Sequence, residues 1–119
     1  MKIDKVEFGC ITIDGQRYPQ VLIIDGGVIC REEERLRALF GTTHKMGDWE
    51  KKKLLSGDPD CIIIANGYDG LFQISDDFIK TCQESKINLI IEYTPEAVEK
   101  FGSFSKRDKR INALIHTTC

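Results

Sequence analysis

Six residues of this chain offer groups that a ligand could use: Asn66, Gly67, Tyr68 and Asp69 in one short loop, Thr94 beyond it, and His44 upstream. Asn66 brings an amide, Gly67 a backbone that a ligand can approach closely, and Thr94 a hydroxyl. Asp69 would serve as a base if its loop were desolvated, and His44, beside Thr42 and Thr43, is the other candidate for that role. His116, the second of the two histidines, shares an alternation set with Leu114, which predicts a buried, hydrogen-bonded ring. No nucleophile, base and orienter stand together in sequence. A metal site would need the fold to bring both histidines to an acid. No catalytic residue, metal or cofactor is therefore assigned. The plainer reading is that Gly67 and Gly70 make a tight turn and Thr94 caps a helix.

The residues around the loop select the kind of ligand. There is no G-x-G-x-x-G and no G-x-x-x-x-G-K-[ST], the two glycine patterns that cradle phosphate. No lysine or arginine lies between Asp58 and Ile79, whereas Asp69, Asp76 and Asp77 do. An anion would meet repulsion there unless a basic group arrived from elsewhere in the fold. A neutral or cationic ligand suits the loop better.

The elements that must position these residues run from Cys61 to Pro95. Cys61–Ala65 is a continuous apolar run, as a strand covered on both faces should be. Ser75 is a good N-cap, with Asp76 and Asp77 in the first turn and Phe78, Ile79 and Cys82 as the buried stripe. Residues 87–91 read as the next strand, the right spacing for a right-handed crossover between parallel strands. Thr94-Pro95 opens a further helix, with Thr94 as cap, ending near Gly102. Such a unit carries Asn66–Gly70 and the helix start at Thr94 to one edge of the sheet, where α/β folds bind ligands.

The rest of the chain is a frame. Ile3–Phe8 alternates with period two, residues 9–13 continue extended to the Asp14-Gly15 turn, and a return strand is expected over 16–24, with Pro19 near its start. Asp25-Gly26-Gly27 turns into a short strand over 28–31. A short helix over 32–40 would carry its apolar stripe at Leu36, Leu39 and Phe40. A clearer helix begins at Gly47-Asp48, with Asp48 as cap or first-turn acid and Trp49, Leu54 and Leu55 as its contacts. Gly57-Asp58-Pro59 stops it, and Lys51–Lys53 form its solvated face. Residues 106–110 cross the surface, and 111–118 make the final strand.

Composition excludes several classes. The chain has 119 residues, 41% hydrophobic and 30% charged, with 17 basic against 19 acidic side chains. That is one domain, residues 1–119, without the basic excess of a nucleic-acid binder. No apolar run approaches the ~20 residues that span a bilayer. The acidic residues in Met1–Phe8 do not suit a signal peptide, so a cytoplasmic location is expected. The five cysteines include no C-x-x-C pair, wrong for a zinc ribbon or a disulfide framework. Cys10, Cys30, Cys61 and Cys82 sit among apolar neighbours and read as small buried hydrophobes, with Cys119 the most exposed.

Four segments carry a family resemblance: F8-G-C-I-T-I-D-G15 with Tyr18, the I-I-A-N-G-Y-D-G70 loop, I87-N-L-I-I with T94-P-E-A-V98, and A113-L-I-H-T-T-C119. Through them the chain resembles the small domain-of-unknown-function family that includes the adipogenesis-associated domain protein and the mitochondrial complex I assembly factor. The resemblance implies a three-layer α/β fold, no established reaction, and protein partners. The expected architecture is a three-layer single domain with a mixed central sheet, one right-handed βαβ crossover and an N-terminal antiparallel β-meander. Two functions are expected in competition. One is a non-catalytic interaction or assembly module with a protein partner, without nucleic acid or membrane. The other is a small-molecule-binding protein or enzyme using the crevice of the Asn66–Gly70 loop and the helix start at Thr94.

Overall fold

Asp14 and Gly15 both adopt positive φ, +49° and +80°, the pair of values that a two-residue hairpin turn demands. In the computed structural model, which describes residues 1–107 and 109–119, this turn lies in a three-stranded antiparallel sheet. Its strands are β1 (Ile3–Glu7), β2 (Cys10–Ile13) and β3 (Gln16–Tyr18). Asp25 and Gly26 repeat the turn, at +50° and +75°, between β4 (Val21–Ile24) and β5 (Gly27–Cys30). The expected return strand over 16–24 is thus two strands in two sheets. Pro19, which has no N–H to give a ladder, and the inward-turned Gln20 separate them. Asp108, in the expected surface segment 106–110, lies outside the described residues.

Two helices follow, α1 (Glu33–Phe40) and α2 (Asp48–Leu55). The stripe expected on α1 is only partly used. Leu36 is fully buried, but Leu39 and Phe40 remain exposed, because the helix meets the body of the protein along one line rather than a broad face. Gly47 is the N-cap of α2, with Asp48 in its first turn.

The second half alternates strand and helix: β6 (Cys61–Asn66), α3 (Asp76–Glu84), β7 (Asn88–Glu92), α4 (Thr94–Ser105) and β8 (Ile111–His116). The five-stranded mixed sheet has the order β5-β4-β8-β6-β7, with β8-β6-β7 parallel and β4 antiparallel to both β5 and β8. The crossover over α3 is joined by a second, over α4, that the sequence reading did not anticipate. The two move opposite ways across the sheet with their helices on opposite faces, so they share one hand, and βαβ units are right-handed in about 98% of cases. β8, the last element, lies at the centre of the sheet and is buried along its whole length.

Side chains of alternate parity divide the core. Ile63, Ala65, Ala113 and Ile115 face α4 (Ala97, Phe101) and the small sheet (Ile11, Ile13). Ile62, Ile64 and Leu114 face α2 (Leu54), α3 (Phe78, Cys82), Met46 and Phe72. Each fully buried isoleucine or leucine contributes about 1.5–3 kcal/mol, so β6 and β8, covered on both sides, anchor all three layers.

Ser75 caps α3 as its sequence suggests, its hydroxyl accepting from Phe78 N–H at 3.3 Å. Thr94 does not cap α4: Tyr93 is the N-cap and no side chain closes it. The helix also passes through Gly102 to Ser105, since nothing in that glycine's environment requires a turn. All five cysteines are free. Burial pushes the Cys61 thiol up to about 11 and raises that of Cys82, so both stay protonated. Cys30 contradicts the expectation of burial: it ends the edge strand β5 and is exposed, while Cys10 and Cys119 are half-buried.

Candidate functional site

Beyond β8 the chain runs on through Thr117, Thr118 and Cys119, and this segment lies against the loop that was expected to open toward a ligand. Tyr68 N–H donates to the Thr118 oxygen at 2.8 Å, and Leu71 N–H to the Cys119 oxygen at 2.9 Å. Gly67 has φ +103°, and a Cβ there would overlap the Cys119 backbone. The glycine is therefore required twice, once by its dihedral and once by the close approach. Gly70, at φ +71°, would place a Cβ 2.7 Å from the Tyr93 ring.

Thr94 is fully buried. Its hydroxyl donates to the His116 carbonyl and accepts from Gly67 N–H at 3.0 Å, while Thr94 N–H donates to the Gly67 carbonyl at 3.1 Å. The threonine joins β8, the loop and α4, which explains why it is turned away from the capping position. Asp69 is exposed and Tyr68 half-buried. Burial and the nearby Glu7 carboxylate raise the Tyr68 phenol above its ordinary value. Beside the loop, Asn66, Asp69, Gly70, Glu92 and Tyr93 line an open hollow of about 270 Å³. Asn66 Oδ1 is buried next to it without a hydrogen-bond partner among the described residues.

Substituting Gly67 with alanine is expected to destabilise the protein by about 1–3 kcal/mol, the range for a non-glycine residue forced into a sparsely populated backbone region. Urea unfolding measures it, and hydrogen exchange at the Tyr68 and Leu71 amides should accelerate as the terminal segment is displaced. Unchanged unfolding and exchange would contradict the packing described.

His44 reaches the second histidine rather than the loop. Its ring stands edge-on to His116 with centroids 5.0 Å apart. His116 is fully buried, with Phe72 on another side at 5.4 Å. Beneath them lies a set of polar residues that the sequence reading did not single out. Arg31 and Glu50 pair through two bonds of 2.7 and 2.8 Å with both side chains wholly out of solvent. The remaining Arg31 donors go to Gln20 Oε1 (2.7 Å), the Thr43 carbonyl (3.0 Å) and the Lys45 carbonyl (2.9 Å). Because arginine only donates, the atom of Gln20 facing it must be the oxygen. That oxygen also meets His116 Nδ1 at 2.8 Å, so Nδ1 carries the proton and Nε2 accepts from the Thr118 hydroxyl at 3.2 Å. Burial, and then the charge of Arg31, lower the imidazole pKa to about 4. The ring is therefore neutral and every polar atom on it is used. These buried groups are engaged with one another, and His44 stands half-buried at their margin.

The sequence held one signal for it. Glu50 stands three residues after the N-cap Gly47, the capping-box position, and its Oε1 accepts from Gly47 N–H at 3.0 Å. Among the described residues no group of three His, Cys, Asp or Glu side chains stands at metal-binding range.

A larger hollow, about 770 Å³, lies at the opposite end of the parallel strands, between Asp25, Ser56, Lys109, Arg110 and Asn112. Some of its polar groups already serve the frame: Asn112 Nδ2 donates to the Leu54 and Ser56 carbonyls, and Arg110 N–H to Asp60. It also lies away from the carboxyl ends of the strands, where α/β sheets place their chemistry. Size alone does not make it the site.

The model of a family described as "Protein of unknown function (DUF498/DUF598)" matches residues 3–116. Among solved structures, a conserved hypothetical protein from Pyrococcus horikoshii OT3 is 30% identical over 100% of both chains, with a TM-score of 0.86. A protein called MT938 is 27% identical over 99% of this chain and 98% of its own, with a TM-score of 0.76. A Mth938-like domain from Bordetella pertussis is 9% identical over 98% of this chain and 85% of its own at a TM-score of 0.61, a likeness of fold alone. No curated protein matches the chain.

Proposed function

This chain belongs to the DUF498/DUF598 family of proteins of unknown function, and from that premise we propose that it is a non-catalytic interaction or assembly module that docks a protein partner around the 67–71 loop. The observation that carries the reading is where the apolar side chains lie. Phe8, Leu71 and Tyr93 are 61%, 52% and 55% exposed, and the Phe8 ring meets that of Tyr68 at 5.6 Å. All surround one loop whose backbone is tied to Thr118 and Cys119. Clustered exposed apolar side chains of this kind mark contact surfaces, and aromatic residues are enriched in them.

Glu7 near Tyr68, and Asp69 and Glu92 beside Tyr93, lie at the margin of this surface, Glu7 paired with Lys5 and Glu92 with Lys100. The complementary partner is a protein segment with apolar anchors flanked by lysine or arginine, and the same acids repel nucleic-acid phosphate. Five free thiols suit a reducing compartment such as the cytoplasm. Among the described residues no helix is long and apolar enough to cross a membrane.

The test is affinity capture with the Phe8→Ser, Leu71→Ser double variant beside the wild type. Both positions are exposed, so circular dichroism should be unchanged, and a partner recovered by the wild type should be lost. Equal recovery would overturn the surface. The second reading is a small cationic ligand in the hollow of Asn66, Asp69, Glu92 and Tyr93, supported by the unpartnered Asn66 oxygen. Native mass spectrometry decides it: a small molecule retained by wild type and lost in Asp69→Asn would favour that reading.

A further inference from the structure

We propose that the outer edge of β7 pairs antiparallel with the same strand of a second copy of the chain, about a two-fold axis at Ile90, joining two five-stranded sheets into one. The edge adjoins the Phe8–Leu71 surface, since Glu92 ends the strand and Tyr93 follows it, but the pairing runs through backbone groups of β7 and does not depend on that reading.

The hydrogen-bond phase of β7 sets the register. Asn88 N–H donates to the Asp60 carbonyl at 3.1 Å, and β7 runs parallel to β6 in unbroken register from Cys61↔Asn88 to Ala65↔Glu92. In a parallel ladder the bonded residues alternate, so Asn88, Ile90 and Glu92 turn their backbone groups toward β6, and Leu89 and Ile91 turn theirs away. No strand lies beyond β7 in the sheet among the described residues. The N–H and C=O of Leu89 and Ile91 therefore form an open template four groups long.

That template is complementary to itself. In an antiparallel pair centred on Ile90, Leu89 falls opposite Ile91 of the second copy and Ile91 opposite its Leu89. Both of these become hydrogen-bonded pairs, and the two Ile90 residues meet as the non-bonded pair between them. Four backbone bonds result. The only charge in the strand, Glu92, is held by Lys100 at 2.7 Å and falls opposite Asn88 of the copy, so no like charges meet. Ile91 is 39% exposed, and the pairing covers it with Leu89 of the second copy, an apolar cross-strand contact.

Several devices that usually blunt an edge are missing from this one. β7 has no proline, no bulge and no lysine, whereas isolated edges commonly carry at least one of these. A second copy is the occupant that such a symmetric edge fits best.

The test is the solution mass of the full chain by light scattering across a dilution series, for wild type, Ile91→Lys and Ile91→Pro. Because the Ile91 N–H faces outward, proline there removes no bond to β6. Wild type should shift with concentration from the 13.5 kDa monomer to twice that mass. Both variants should stay monomeric while keeping the circular dichroism of the wild type. In wild type alone, hydrogen exchange at Leu89 and Ile91 should slow as concentration rises, a readout that holds even if a variant folds poorly. A wild type that is monomeric throughout with unprotected Leu89 and Ile91 amides, or a dimer that survives both substitutions, would overturn the proposal. The Phe8→Ser, Leu71→Ser variant should dimerise as the wild type does, which separates this result from the fate of the docking surface.

Discussion

Glu50→Ala is expected to lower the stability of the fold by about 3–5 kcal/mol, the usual loss when one member of a buried ion pair is removed. For a chain of this size that corresponds to a fall in melting temperature of roughly 10 °C or more. The reason is what the substitution leaves behind. The Arg31 guanidinium would remain wholly buried without its counter-ion. All five of its N–H groups are committed, two to Glu50 and the others to Gln20, Thr43 and Lys45. Glu50→Ala also frees the Gly47 N–H, which that carboxylate accepts at 3.0 Å. The damage should reach residues 41–47, since Arg31 is what holds the carbonyls of Thr43 and Lys45 in place. Lysine at position 31 would not substitute, because a point charge cannot form the two-pronged bond to a carboxylate.

Denaturant unfolding provides the measurement, with a lowered midpoint at unchanged slope as the expected form. Replacing both residues by leucine should recover part of the loss, since no lone charge then remains. Recovery should be incomplete, because the Thr43 and Lys45 carbonyls stay buried without donors, at about 1–3 kcal/mol for each unsatisfied group. A loss below about 1 kcal/mol in Glu50→Ala would show that the pair is open to solvent.

The second large effect is a dependence of stability on pH. His116 titrates at about 4 in the fold, against 6.5 for the free side chain. Between those values the unfolded chain binds a proton that the folded one refuses. Stability therefore falls as pH drops through 6.5 and stops falling, on account of this residue, below about 4. The full loss is on the order of 3 kcal/mol. Between pH 7 and pH 5 it should reach about 2 kcal/mol. Comparing wild type with His116→Gln at the two pH values isolates the contribution, because the carboxylates titrate alike in both. Parallel pH profiles for the two proteins would rule out a neutral, buried imidazole.

Local physics made much of this fold legible. The Cys61–Ala65 run, the Ser75 cap and the alternation placing His116 beside Leu114 each depend on near neighbours in the chain, and each was readable. What escaped was set by distant contacts. Thr94 looks like a cap because its local signature is that of one, yet its hydroxyl is drawn to a carbonyl of β8 and a loop amide of Gly67. Arg31 and Glu50 stand 19 residues apart with nothing local to link them, and only the fold brings them together. The split of 16–24 into two strands was marked by Pro19, but which sheet each half joins depends on β8, almost a hundred residues away. The loop after β6 is expected at the carboxyl end of that strand, and it lies there. That residues 118–119 would lie against it had no signal in either segment.

The central position of β8 bears on the order in which the protein can form. A ribosome delivers β4 and β6 long before it delivers 111–116, yet those two strands touch each other only through β8. Until it arrives the large sheet exists as two separate halves, β4-β5 and β6-β7, each with a freshly exposed apolar edge. Before then the large sheet can pair only within these two halves, and closure of the core waits for residues 111–116 to be synthesised. During that interval the nascent chain presents its stickiest surfaces to the cell, so translation speed and chaperone supply bear on its yield more than on that of a protein whose sheet closes from the front.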